Sequence, residues 1–269
     1  MNYLVFKDVP AEAPGGVMNA LQLATPFKTF KDLKKQSGFI FYVPAWNTSR
    51  IDPVTGFMDL LRPKCEQISE WQSFYDKFDF IRYNPQDKYF EFGIEYANYL
   101  PTLRLKESKW VVCTHGDTRY VFNRALNNNK GGYETINVTQ EIIELFDKYK
   151  IPYQDGKDLK DIITKQDKKI FYSTLTKNLK ITMSMRYSNG KGGRDFILSP
   201  VKDKNGEFFD SEVAKKKALA LPHDADANGA YNIARKGLYV LRQIDKSESV
   251  KDWTTRISNT EWIEFSQSL

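Results

Sequence analysis

The chain has 269 residues, 41% of them hydrophobic and 14% aromatic, enough to bury a core in one large domain or two modest ones without disulfide help and too rich in aromatics for a disordered chain. With 40 Lys+Arg against 34 Asp+Glu the formal net charge is +6, a mildly basic balance that fits nucleic acid and equally fits a lysine-rich solvated surface. Cys65 and Cys113 form no Cys-x-x-Cys pair, and His115 and His223 stand in no zincin or triad arrangement, so a zinc ribbon, a His-Glu-x-x-His site and a Ser-His-Asp hydrolase are excluded, as is a Gly-x-x-x-x-Gly-Lys phosphate loop. The cysteine usage fits a reducing compartment, no signal peptide follows Met1, and no apolar run approaches a bilayer's thickness; the expectation is a soluble intracellular protein without a membrane partner.

In chain order, "YLVFKD" reads as the tail of an apolar element, followed by an irregular loop at Pro10, Pro14, Gly15 and Gly16. "KTFKDLKKQ" predicts a short basic helix, and "GFIFYVPAW" a buried strand ended by Pro44. "NTSRIDPVTGF" is a polar turn. "WQSFYDKFDFIRYNPQDKYFEFGIEY" predicts a helix and then a hairpin turning at "NPQDK", and "KWVVCTHGDTRYVF" a strand, turn, strand unit. "NRALNNNKGGYE" reads as a polar loop.

Residues 139–150 predict an amphipathic helix capped by Thr139, with Ile142, Leu145, Phe146 and Tyr149 on one face. Residues 158–188 read as one or two helices, in which Leu175, Leu179, Met183 and Arg186 share a face, so that a cation ends an apolar stripe. Such an arginine can neutralise a helix C-terminus or engage a phosphate. "SPVKDKNGEFFDS" is a strand and turn with Asn205-Gly206 at its tip, and the basic "AKKKALALP" follows. The clearest helical spacing is Ala230, Ile233, Ala234, Gly237, Leu238, Leu241 and Ile244, with Asp226 or Asn228 as the start signal. "SNTEWIEFSQSL" predicts a final helix with a Ser258–Glu261 capping box and Trp262 and Phe265 for packing.

The hexapeptide "DADANG" at 224–229 admits three readings. A calcium loop needs a carboxylate at its twelfth position; counted from Asp224 that position is Arg235, a cation. An ordinary helix cap is the second reading. The third is one carboxylate of a two-metal nuclease, in which divalent ions about 4 Å apart clamp the attacking and leaving oxygens of a phosphodiester.

"LPHDADANGAYNIARKGLYVLRQI" resembles the third RuvC motif of the type V-A CRISPR RNA-guided DNA endonucleases, the Cas-twelve-a or Cpf-one family. "NYLVFKDVPAEAPGGVMNALQL", "SGFIFYVPAWNTSRIDPVTGF", "MSMRYSN" and "DFILSPVKDKNGEFFDS" resemble the same family in the same order, so the resemblance covers essentially the whole chain. It implies an α/β (α+β) fold class: partial RNase H-like RuvC segments at 1–52 and 223–269 flanking a mixed α+β Nuc domain at 53–222.

Residue by residue, the resemblance implies that Asp226 is a metal-binding catalytic carboxylate, with Asp224 capping or in an outer shell. Arg186 matches a Nuc arginine needed for target-strand cutting, and Asp195 an acid near it that orients Arg186 or sits on a surface turn. Arg50, Lys215, Lys216 and Lys217 are candidate nucleic-acid contacts, or else solvated charges. Implied partners are the target and non-target DNA strands, with guide RNA held by parts of the family's architecture not seen here; the implied ion is Mg2+ or Mn2+, and the implied compartment a prokaryotic cytoplasm. The other metal-binding Asp and the catalytic Glu belong to motifs that precede this stretch in the family, so the isolated chain is expected to be inactive or nearly so and to hold no metal tightly. The alternatives are a non-enzymatic single-stranded nucleic-acid-binding module, a calcium-binding module, and a transposon-encoded RuvC nuclease, the last disfavoured by the missing zinc ribbon.

Overall fold

The computed structural model describes residues 43–105, 108–116, 118–188, 195–247 and 257–267. The expected basic helix at "KTFKDLKKQ" and most of the strand expected at "GFIFYVPAW" lie outside the described residues. Two compact units divide the chain: residues 49–229 with 263–269, and residues 1–48 with 230–262.

The larger unit is a mixed α+β domain. It opens with a turn in which Asp52 Oδ1 accepts from the N–H groups of Val54 and Thr55, closed by a bridge between Ile51 and Met58. Helix α1 (Ile68–Asp76) leads into the antiparallel hairpin of β1 (Phe78–Asn84) and β2 (Tyr89–Glu95), as the aromatic alternation predicts. At "NPQDK" Asn84 Oδ1 accepts from the N–H groups of Gln86 (3.1 Å) and Asp87 (3.0 Å), the side-chain turn that asparagine favours. β2 is central in the sheet, flanked by β1 and β3 (Lys109–Cys113), and it is buried on both faces.

The strand, turn, strand unit at "KWVVCTHGDTRYVF" exists, but its strands do not pair with each other. β3 joins β2, whereas β4 (Arg119–Asn123) pairs with β5 (Gly132–Ile136). Between them Gly116 adopts φ +84°, and a Cβ there would collide with the Arg119 guanidinium and with Leu198. The expected polar loop at "NRALNNNKGGYE" is shorter than predicted, since Gly132, Tyr133 and Glu134 join β5. Asn127, Asn128 and Asn129 all turn left-handed, a conformation asparagine tolerates better than most residues.

Helix α2 (Val138–Lys148) buries Ile142, Leu145 and Phe146, with Tyr149 half-buried just past its end. Its cap is Asn137, whose side chain accepts from Gln140 N–H at 3.0 Å, rather than Thr139. Thr139 is occupied elsewhere, its hydroxyl donating to Thr114 O at 2.7 Å. Two helices lie within 158–188, α3 (Lys160–Thr164) and α4 (Lys169–Met183), and the expected helix stops short of 184–188. The core of the unit is aromatic: the Phe90 and Phe146 ring centroids lie 5.1 Å apart, and the Tyr75 hydroxyl bonds Thr176 Oγ1 of α4 at 2.7 Å. A third sheet runs β6 (Arg186–Tyr187), β7 (Phe196–Lys202) and β8 (Phe208–Asp210), with the tip at Asn205-Gly206 as expected. Helix α5 (Ser211–Lys216) follows.

Helix α6 (Ala225–Asp245) starts five residues before the apolar spacing begins. Its cap is Asp224, not Asp226 or Asn228: Asp224 Oδ1 accepts from Ala227 N–H at 2.7 Å. In the smaller unit its predicted apolar stripe is the exposed face, with Leu238 at 54% exposure, while Lys236 on the other side is 1% exposed. The physical reason is that the buried polar groups have partners. Lys236 Nζ donates to Pro44 O (2.9 Å) and Trp46 O (3.1 Å) and lies 4.9 Å from the Trp262 ring; Arg235 Nη1 donates to Asn232 Oδ1 at 2.8 Å. Burial pushes the Lys236 ammonium down to about 8. Helix α7 (Asn259–Ser266) carries the predicted capping box, with Ser258 N–H donating to Glu261 Oε2 (2.7 Å) and Glu261 N–H to Ser258 Oγ (3.2 Å). Trp262 is fully buried.

Candidate functional site

The site lies in the larger unit, where α4 ends. Leu175, Leu179 and Met183 are buried along α4 as their spacing predicts, but Arg186 does not continue that stripe. Buried Met185 takes φ +59°, an uncommon conformation for a bulky residue, and breaks the helical path. Arg186 is thereby placed on β6, paired with Ile197 of β7. It neutralises no helix end. Its Nε donates to Asp195 Oδ2 at 2.7 Å and its Nη2 to Asp226 Oδ1 at 3.4 Å; Nη1 has no partner among the described residues.

Three segments distant in sequence therefore meet at one guanidinium. Asp195 precedes β7, and its carbonyl accepts from Ala225 N–H at 2.9 Å, which ties the start of α6 to the arginine's own sheet. Asp224 caps the same helix end, so Asp226 projects from the first turn, where the exposed N–H groups favour negative charge. Asn228 is fully buried, and its Nδ2 donates to Ile51 O (3.0 Å) and Ser49 O (3.4 Å), fixing the turn that carries Arg50. Within the hexapeptide, one acid is a cap, one reaches Arg186, and the asparagine is an anchor.

The two ion pairs differ in strength. The Asp195 contact is short and its carboxylate is 32% exposed, whereas the Asp226 side chain is 75% exposed and its contact is at the long end of the hydrogen-bond range. An exposed pair of this kind is worth about 0–1 kcal/mol, so a better anion displaces it readily. Arg186 and Asp195 line a cleft of about 570 Å³ with Arg50, Arg62, Lys180 and Asp59. Burial pushes the Asp59 carboxyl up, and the neighbouring Arg62 opposes this. Lys215, Lys216 and Lys217 are exposed at the C-terminal end of α5 and do not line this cleft. Their charge complements the carbonyls there.

A metal centre finds only partial support in these residues. Among the described residues no group of three or more His, Cys, Asp or Glu is placed to hold a metal ion. Asp226 offers one carboxylate, already touched by a cation, and the described residues do not by themselves fit a two-metal centre. The calcium reading fails on geometry, since Ala225 onward is helix and Gly229 lies within it, leaving no twelve-residue loop.

Several of the lining residues are not singled out by the sequence, among them Arg62, Lys180, Tyr120, Phe122 and Tyr133. The signal for the three aromatic residues is the alternation in "YVF" facing "GYE", legible only once β4 and β5 are known to pair.

The fold and the clasped arginine thus define a mixed α+β domain with a basic cleft. A family model described as NUC, nuclease domain, matches residues 51–213, more than half of the chain, and the chain belongs to that family. Arg186 and Asp195 fall inside the matched region; Asp224, Asp226 and Lys215–Lys217 follow it, and Arg50 just precedes it. No helix among the described residues is long and apolar enough to cross a membrane.

Proposed function

We propose that this chain handles the DNA strand to be cut in an RNA-guided DNA endonuclease of the type V-A class, with Arg186 gripping a phosphate of the target strand. Nuclease-domain membership and the ordered run of resembling segments support the class. The observation that carries the reading is the guanidinium held by Asp195 and loosely by Asp226 at a basic cleft. Guanidinium stays charged and pairs bidentately with phosphate, and its planar fork is oriented before the ligand arrives because Asp195 fixes Nε. A phosphate entering the cleft exchanges with the weak Asp226 contact. That exchange would free Asp226, which would hold a Mg2+ or Mn2+ ion only together with further carboxylates from elsewhere. Guide RNA is likewise held elsewhere, and both displaced and target strands pass this site as substrates.

In a complete enzyme containing this chain, Arg186→Ala is expected to slow target-strand cutting by about 100-fold, the usual loss of a transition-state phosphate clamp, with the non-target cut retained. Asp226→Ala is expected to abolish both cuts. Full retention of both cuts in Arg186→Ala contradicts the proposal.

A further inference from the structure

Beside the arginine stands a surface that the phosphate grip does not use. β4 and β5 form an isolated two-stranded hairpin, joined to the β6 region by a bridge between Tyr120 and Ser188, two residues from Arg186. In its register Phe122 opposes Tyr133 and Tyr120 opposes Thr135, so the three rings share one face. Tyr120 and Tyr133 are stacked at 4° with centroids 5.0 Å apart, and Phe122 meets Tyr133 edge-on at 5.3 Å. Despite this packing, Phe122 and Tyr133 are 54% and 53% exposed. Gly131 makes the arrangement possible: at φ +81° it carries no side chain where a Cβ would collide with the Phe122 ring.

Large rings held open at a cleft are costly unless something covers them. Charge says what kind of partner does so. The cleft places Arg50, Arg62, Lys180 and Arg186 against two carboxylates, Asp59 and Asp195. Arg62 is already oriented by Asp59 at 2.9 Å. Aromatic faces next to oriented cations suit a polyanion whose units carry flat rings. A duplex hides those rings in its stack, whereas a single strand offers them.

We propose that the Tyr120–Phe122–Tyr133 face is a base-stacking platform for single-stranded DNA, with Arg62 and Lys180 on the flanking phosphates. This rests on the reading that the cleft binds DNA and adds what part of the DNA it selects: unpaired bases, without sequence preference. Arg186 grips a phosphate, while the platform holds the adjoining bases out of a duplex.

The test is fluorescence anisotropy of the full chain at low salt with three probes: a labelled fifteen-nucleotide oligo-dT, the same backbone with abasic sites throughout, and a duplex of equal length. Wild-type protein is expected to bind oligo-dT about tenfold or more tighter than the abasic strand. Phe122→Thr with Tyr133→Thr, which keeps strand propensity, is expected to remove that preference while leaving the salt slope unchanged. Arg62→Ala with Lys180→Ala is expected to lower the salt slope by about 1.4 and keep the preference for bases. Equal binding of oligo-dT and abasic strand by the wild type overturns the platform and leaves the phosphate grip standing, as does tighter binding of the duplex. No binding of any probe removes both readings together. The abasic comparison needs no variant, so a poorly folding mutant does not blunt it.

Discussion

Helices α2 and α6 share one kind of sequence pattern and make opposite use of it. Both space apolar residues at three and four, yet α2 turns Ile142, Leu145 and Phe146 inward while α6 leaves Ile233, Leu238 and Leu241 exposed and buries Asn232, Arg235 and Lys236. Periodicity finds a helix and its two faces. Which face is covered depends on whether polar groups find partners, and Lys236 finds two backbone carbonyls and the face of Trp262. α2 is held by dispersion and water exclusion; the middle of α6 is held by hydrogen bonds to a buried cation.

The difference is breakable by substitution. The largest effect is expected at Phe146→Ala, which empties the contact with Phe90 and is predicted to cost about 3–5 kcal/mol in denaturant unfolding. Next comes the buried ammonium. Its folded value is lowered from 10.5 to about 8, so between those values the unfolded chain binds the proton and the folded chain does not. Stability therefore rises with pH across that window, by up to about 3 kcal/mol from this group, and lies flat below it. Lys236→Met is expected to lose that rise in melting curves taken from pH 7 to 10; an unchanged slope contradicts the account. Asp224→Ala removes the cap of α6 and is predicted to cost about 1 kcal/mol, with Asp226→Ala costing less because Asp226 caps nothing. Leu238→Gln and Leu241→Gln are predicted to shift stability by no more than about 0.5 kcal/mol, against several kcal/mol if that stripe were core.

Much of the fold is legible in the sequence where the signal is local. The hairpin at "NPQDK", the Asn205-Gly206 tip and the Ser258–Glu261 capping box each depend on side chains within a few residues of one another. The misjudged features depend on distant partners. Thr139 does not cap α2 because Thr114 claims its hydroxyl, and β3 and β4 part company as β3 joins β2 and β4 joins β5.

The candidate site divides the same way. Asp195 and Asp226 stand in the sequence as acids within the resembling segments, and the structure brings both to Arg186. The expected geometry of Arg186, at the end of a helical stripe, did not survive Met185, whose left-handed turn no spacing rule anticipates. The aromatic face was illegible for a further reason: a run of three left-handed asparagines concealed the pairing of β4 with β5, and without pairing the rings share no face.

The central claim is that Arg186, steadied by Asp195, grips a DNA phosphate. Its most direct test is the salt dependence of single-strand binding by the full chain, wild type against Arg186→Ala. Loss of one phosphate contact predicts weaker binding at every salt concentration and a log–log slope shallower by about 0.7. Identical affinity and slope in the two proteins would contradict it.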